Sequence, residues 1–167
     1  KLMGDAKFKV IGNIRYNGKP TFNDTTIITT SSGLKVGFLG LTTPETSTKA
    51  HPAKIQGVTF MAKDELYKFA SDEAALLRKD GADVVIALTH LGVDPESEPN
   101  RSTDVYANSK GIDFIIDGHS HTVMTKGENN EPIQSTGTKL ENVGVIIIDN
   151  ATKKIEKNEL LKLADYK

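Results

Sequence analysis

An α/β fold with a largely parallel sheet is predicted by two observations. Apolar runs of strand length alternate with helix-period segments in the order strand, helix, strand, helix, strand between residues 35 and 116. Such an order implies right-handed crossovers, which lay consecutive strands side by side and parallel. The last two runs also each deliver histidine just past an apolar end, in Thr89-His90-Leu91-Gly92 and in Asp117-Gly118-His119-Ser120-His121-Thr122. Ligands of open α/β sheets bind beyond the carboxyl ends of the strands. Those histidines therefore fall where a site is expected.

Taken in order, Phe8-Lys9-Val10-Ile11 is a short apolar segment broken by Gly12-Asn13. The β-branched stretch Ile27-Ile28-Thr29-Thr30, the turn Ser31-Ser32-Gly33 and the buried-strand pattern of residues 35–42 predict an antiparallel pair. Residues 43–57 contain Pro44, Pro52 and many small polar side chains, which reads as a long surface loop. Leu66, Phe69, Ala70, Ala74 and Leu77 recur at helical spacing over residues 64–79; Asp64 and Glu65 suit the first turn and Gly81 the stop. Strand 83–89 follows, then a polar loop over 93–102, a short helix over 104–109 and strand 112–116. A turn at 127–132, a segment at 133–137, and a strand at 143–148 joined by a hairpin connection to 153–163 complete the chain. In that last segment strand is favoured over helix.

The 167 residues suffice for one core, and 37% apolar with 26% charged residues is ordinary globular composition. Twenty-one basic against 22 acidic residues leave a formal charge of -1 with no single-sign block. Nothing there has the electrostatic footprint of a nucleic-acid binder. No apolar run approaches the roughly 20 residues that cross a bilayer. Cysteine is absent, which excludes disulfides, zinc ribbons and thiol nucleophiles. No signal-peptide pattern and no initiator methionine stand at the start, so a processed chain or a piece of a longer one is expected.

Imidazoles at i and i+2 in extended or turned backbone leave the chain on one side, so His119 and His121 can face one ion or two neighbouring ions. If the two strands are neighbours, His90 joins them. Neutral imidazole ligates zinc, manganese, iron, cobalt and nickel, and Asp117 is a candidate acceptor to orient a ring. His51, beside Pro52 with no partner nearby, reads as a solvated bystander. Asp83 begins its strand and reads as a turn residue; Gly12-Asn13 lacks a following histidine and reads as structural. Ser120 has no elbow motif around it, and no phosphate loop or dinucleotide fingerprint occurs. Hydrolysis assisted by metal ions is the chemistry left, since two cations about 3.5 to 4 Å apart clamp phosphoryl oxygens and activate water.

The segments Thr89-His90-Leu91-Gly92, Asp117-Gly118-His119-Ser120-His121-Thr122 and Val36-Gly37-Phe38-Leu39-Gly40-Leu41-Thr42-Thr43-Pro44-Glu45 together resemble the calcineurin-like metallophosphoesterase domain. The likeness is to that of bacterial 5'-nucleotidases and 2',3'-cyclic-nucleotide phosphodiesterases, and it covers nearly the whole chain. It implies a four-layer αββα sandwich with mixed sheets and two divalent ions, zinc, manganese or similar. By the same resemblance His90 and His119 would ligate one ion and His121 the other, with nucleotide phosphate esters as substrate. It further implies an extracellular, periplasmic or cell-surface location.

The family's Asp-x-His motif, bridging Asp and Gly-Asn-His motif, which carries the catalytic histidine, would precede Lys1. Residues 1–13 resemble the segment just after that motif. The expectation is therefore that residues 1–167 form the C-terminal portion of one metallophosphoesterase domain. The upstream half and the downstream substrate domain would be absent, and no catalytic residue would lie in the chain. Three neutral imidazoles do not offset two dications, so metal binding should be weak or absent and the isolated chain inactive. Two alternatives stay open: another dinuclear phosphoesterase such as a sulfur-compound hydrolase, and a non-catalytic binding module.

Overall fold

The computed structural model describes residues 9–166. Residues 1–8, which include Phe8 and most of the segment likened to the family's post-histidine stretch, lie outside the described residues. The central element is a six-stranded sheet in the order β3 (Thr25–Thr29), β4 (Lys35–Thr42), β6 (Val84–His90), β7 (Phe114–Asp117), β9 (Ile133–Thr136), β8 (Val123–Met124). Its four inner strands are parallel and its two edge strands antiparallel. A small sheet of β1 (Ile14–Tyr16), β2 (Lys19–Pro20) and β5 (Val58–Phe60) stands apart from it, as does the antiparallel hairpin of β10 (Asn142–Ile148) and β11 (Ile155–Lys162).

Side chains alternate across the sheet as the two-residue strand period demands. Leu39, Leu41, Val85, Ala87, Ile115 and Ile133 face the helix α2 (Asp64–Lys79), whose buried stripe is Leu66, Ala70, Ala74 and Leu77, and Val105 of α3 (Ser102–Asn108). The other face presents Val36, Val84, Ile86 and Phe114 to Ile146, Ile148 and Ile155 of the hairpin. The result is a helix layer, a mixed sheet and a second β layer. An α/β sandwich with mixed sheets was expected and is found.

Helix α2 has the bounds that its periodicity predicts, with Asp64 and Glu65 in the first turn and Arg78 and Lys79 in the last, favourable at the positive and negative ends of the helix dipole. Gly81, at φ +93°, lets the chain turn back. Residues 43–57 are more structured than a loop: they form α1 (Thr46–Lys49) and a 3-10 turn over Pro52–Lys54, where the proline occupies the first turn. Asp83 accepts the Lys35 backbone N–H at 2.8 Å from the amino edge, the turn role expected of it. Asn13 is fully buried; its amide donates to the Thr42 carbonyl and accepts from the Thr42 N–H, both at 2.8 Å. It staples β1 to β4 and is structural. Beside it Gly40 lies so close to the Val10 carbonyl that an added Cβ would fall 1.9 Å from its oxygen.

Candidate metal centre

Parallel pairing of β4, β6 and β7 brings their carboxyl ends to one edge, with Thr42 opposite His90 and Leu88 opposite Ile116. His90 ends β6, and the chain then turns at Gly92, which has φ +76°. His119 and His121 follow β7 in left-handed backbone, at φ +81° and +56°. That conformation is uncommon for residues with a Cβ and is stored strain at sites where it occurs.

His90 and His119 meet edge to face, with ring centroids 4.9 Å apart at 63°. Partial burial depresses the His90 pKa, helped by the charge His119 and His121 would carry and opposed by Asp117. His90 is thus biased to the neutral form that ligates metals. His121 is exposed, and among the described residues no group of three His, Asp or Glu side chains is arranged to hold an ion. The structure brings together two of the three predicted rings and does not gather all three into one cluster. The donor set of the described residues fits part of a metal shell and not a whole one.

Asp117 does not hold a ring, as its candidate role required. Its Oδ1 accepts from the Thr89 hydroxyl at 2.7 Å and from the N–H groups of Leu91 and Gly92 at 3.1 and 3.3 Å. It anchors the turn that carries His90. Having given its proton to Asp117, the Thr89 hydroxyl accepts from Ser102 at 2.9 Å, which links the edge to the start of α3. Ser120 bonds the Thr122 hydroxyl and the Val93 N–H, with no imidazole partner, so it has no nucleophile's geometry. His51 is exposed and accepts from the Ala53 N–H, in keeping with a bystander.

Glu45 is the site residue that sequence reasoning missed. Its Oε2 lies 3.4 Å from His119 Nε2 and 2.5 Å from Lys49 Nζ, and its Oε1 accepts from the Ser97 hydroxyl. The Lys49 bond, then the Ser97 bond, outweigh burial and hold its pKa at about 2, with His119 adding to the effect. The signal was positional: Glu45 stands three residues beyond the end of β4, on the edge that receives His90.

A cleft of about 350 Å³ lined by Thr42, Thr89, His90, Asp117 and Gly118 opens along this edge. A larger cavity of about 600 Å³ lies beyond Thr122, lined by groups such as Arg101, Asp104 and Glu131. Two of its charged side chains are held by neighbours, Arg101 by Asp104 and Glu131 by Asn129. The smaller cleft is the one that His90 and Asp117 line.

Set against solved structures, the chain overlays the calcineurin-like phosphoesterase YfkN of Bacillus subtilis with a TM-score of 0.75 at 22% identity, covering 94% of this chain and 56% of that one. The chain has the calcineurin-like phosphoesterase fold. It also overlays the Thermus thermophilus thiohydrolase SoxB, with a TM-score of 0.75 at 17% identity over 92% of this chain and 27% of that one. In sequence it is 36% identical over 101 residues to the trifunctional nucleotide phosphoesterase protein YfkN, which is 59% of this chain and 6% of the relative. It is 33% identical over 105 residues to a 5'-nucleotidase of Vibrio cholerae, 58% of this chain and 18% of the relative. No protein-family model matches it. The chain therefore spans less than a fifth of these two curated relatives, both phosphoesterases acting on nucleotides, and the resemblance read from its motifs is borne out.

Proposed function

We propose that this chain is the C-terminal portion of a phosphoesterase domain whose parent hydrolyses nucleotide phosphate esters with divalent ions, as a 5'-nucleotidase or cyclic-nucleotide phosphodiesterase. The carrying observation is the 4.9 Å approach of the His90 and His119 rings at the carboxyl edge, beside the cleft. His90 and His119 would hold one ion and His121 a second, and the ions, when bound, supply Lewis-acid stabilisation of phosphoryl oxygen and activation of water. The chain's own contribution is to keep His90 neutral and fixed in place. Glu45, ionised and in contact with His119, orients that ring.

The names of its curated relatives favour nucleotides over sulfur compounds, for which only the fold likeness to SoxB speaks. Export of the parent rests on family resemblance. No helix among the described residues is long and apolar enough to cross a membrane.

Phosphate release from AMP and from an aryl phosphate, with zinc or manganese added, tests the reading on the parent and on residues 1–167 side by side. Metal-dependent turnover of AMP by the parent and negligible turnover by the 167-residue chain is the expected outcome. Full activity of this chain alone would overturn the assignment of its catalytic groups to another segment. Absence of activity in the parent would overturn the function.

A further inference from the structure

Among the described residues three buried side-chain atoms have no hydrogen-bond partner, and two of them, Asp117 Oδ2 and Ser135 Oγ, belong to paired positions on adjacent parallel strands. The residues are 8% and 1% exposed. Both side chains leave the sheet on its helix side, because Ile115 and Ile133, two residues earlier on the same strands and themselves paired, lie in the helix-side core. A buried carboxylate oxygen and a buried hydroxyl without partners are each costly, and in native proteins such atoms find protein or ordered water.

Paired side chains on neighbouring strands can bond directly, as the Thr89 hydroxyl does with Asp117 Oδ1 at 2.7 Å, but Asp117 Oδ2 and Ser135 Oγ have no such partner. Two bonds of about 2.8 Å that meet at a tetrahedral angle on one water span about 4.6 Å, close to the roughly 4.8 Å between paired strands.

We propose that Asp117 Oδ2 and Ser135 Oγ bind a buried water molecule between β7 and β9, and that this water completes the anchor of the turn carrying His90. The two halves of one carboxylate then have separate tasks. Oδ1 gathers the Thr89 hydroxyl and the Leu91 and Gly92 amides, while the water holds Oδ2 and keeps the carboxylate from rotating away from them. Asp117 is a positioning residue, and Ser135 acts on the histidine edge without touching it. This stands whatever ester the parent cleaves.

A crystal structure of the 167-residue chain near 1.5 Å should show a single peak within hydrogen-bond distance of both atoms. A direct Asp117 to Ser135 bond, a metal ion in that place or no peak at all would refute the proposal. Amide hydrogen exchange gives a second readout. Ser135→Ala should speed exchange at Leu91 and Gly92 several-fold, and Asp117→Asn about tenfold, each measured relative to Leu39 in the same sample to remove any global loss of stability. Unchanged relative exchange at Leu91 and Gly92 in Ser135→Ala would show that no water couples the two strands, and would sink the idea even with both variants folded.

Discussion

Midway along β4, β6 and β7 the helix side of the sheet is closed by Leu39, Val85, Ala87 and Ile115, all fully buried against Leu66 and Ala70 of α2. A few residues farther along the same strands stand His90, a buried Asp117 with one oxygen unpartnered, and two histidines at positive φ. The first region satisfies every local preference at once: strand alternation, an amphipathic helix, apolar contact. The second breaks several within a short span. Sequences that fold well agree with themselves at each level, and violations concentrate where a site has to be held open. The contrast supports this edge as the candidate site, since the strained and unpartnered groups there include the histidines themselves.

Truncating the well-packed region should have the largest effect. Leu66, 0% exposed within the core cluster, should cost about 2 to 5 kcal/mol as Leu66→Ala. On the hairpin's outer surface Ile147 is 42% exposed, and Ile147→Thr should change stability by no more than about 0.5 kcal/mol. Urea unfolding of both variants checks the pair. Equal losses would mean that α2 and the outer surface of the hairpin are packed alike, against the burial described.

At the edge the prediction concerns backbone strain. Position 119 has φ +81°, which glycine adopts freely and alanine does not. His119→Gly should therefore be more stable than His119→Ala by about 1 kcal/mol in thermal or urea unfolding. Both variants lose the ring that meets His90, and in the parent both should lower metal affinity by more than about 100-fold, the upper end of what losing an outer-shell partner costs. Metal titration of the parent separates this from the stability effect. Equal stability of the two variants would show that the turn relaxes and stores nothing.

How much the sequence disclosed follows the same contrast. Where periodicity governs, as in α2 and in the three central parallel strands, elements are legible to within about two residues. The small sheet went unread because strands of two or three residues carry no period. Yet Asn17-Gly18, at φ +48° and +75°, is the type I′ signature of the β1–β2 hairpin, and it was visible in the sequence. At the edge the residue types were legible and their arrangement was not. His119 and His121 lie in left-handed backbone and not in the extended geometry that the i and i+2 rule assumes, and among the described residues no group of three is arranged to hold an ion. Glu45 and Ser97 meet only in the folded chain, 52 positions apart, beyond any local pattern.

The smallest effect is electrostatic and belongs to that non-local contact. Glu45 is held at about 2 from an ordinary 4.5, first by Lys49 and then by Ser97. A folded-state pKa below the unfolded one means the carboxylate stabilises the fold above about pH 4.5, and the contribution fades as pH falls toward about 2. Lys49 is 60% exposed, so solvent screens the leading interaction and the full shift does not convert into stability. Unfolding free energy measured across that window should fall less steeply in Glu45→Gln than in the unaltered chain, while the two curves run parallel above pH 5. If their slopes agree below pH 4.5 as well, the carboxylate is free in solution, and the contact that ties β4's end to His119 does not hold there.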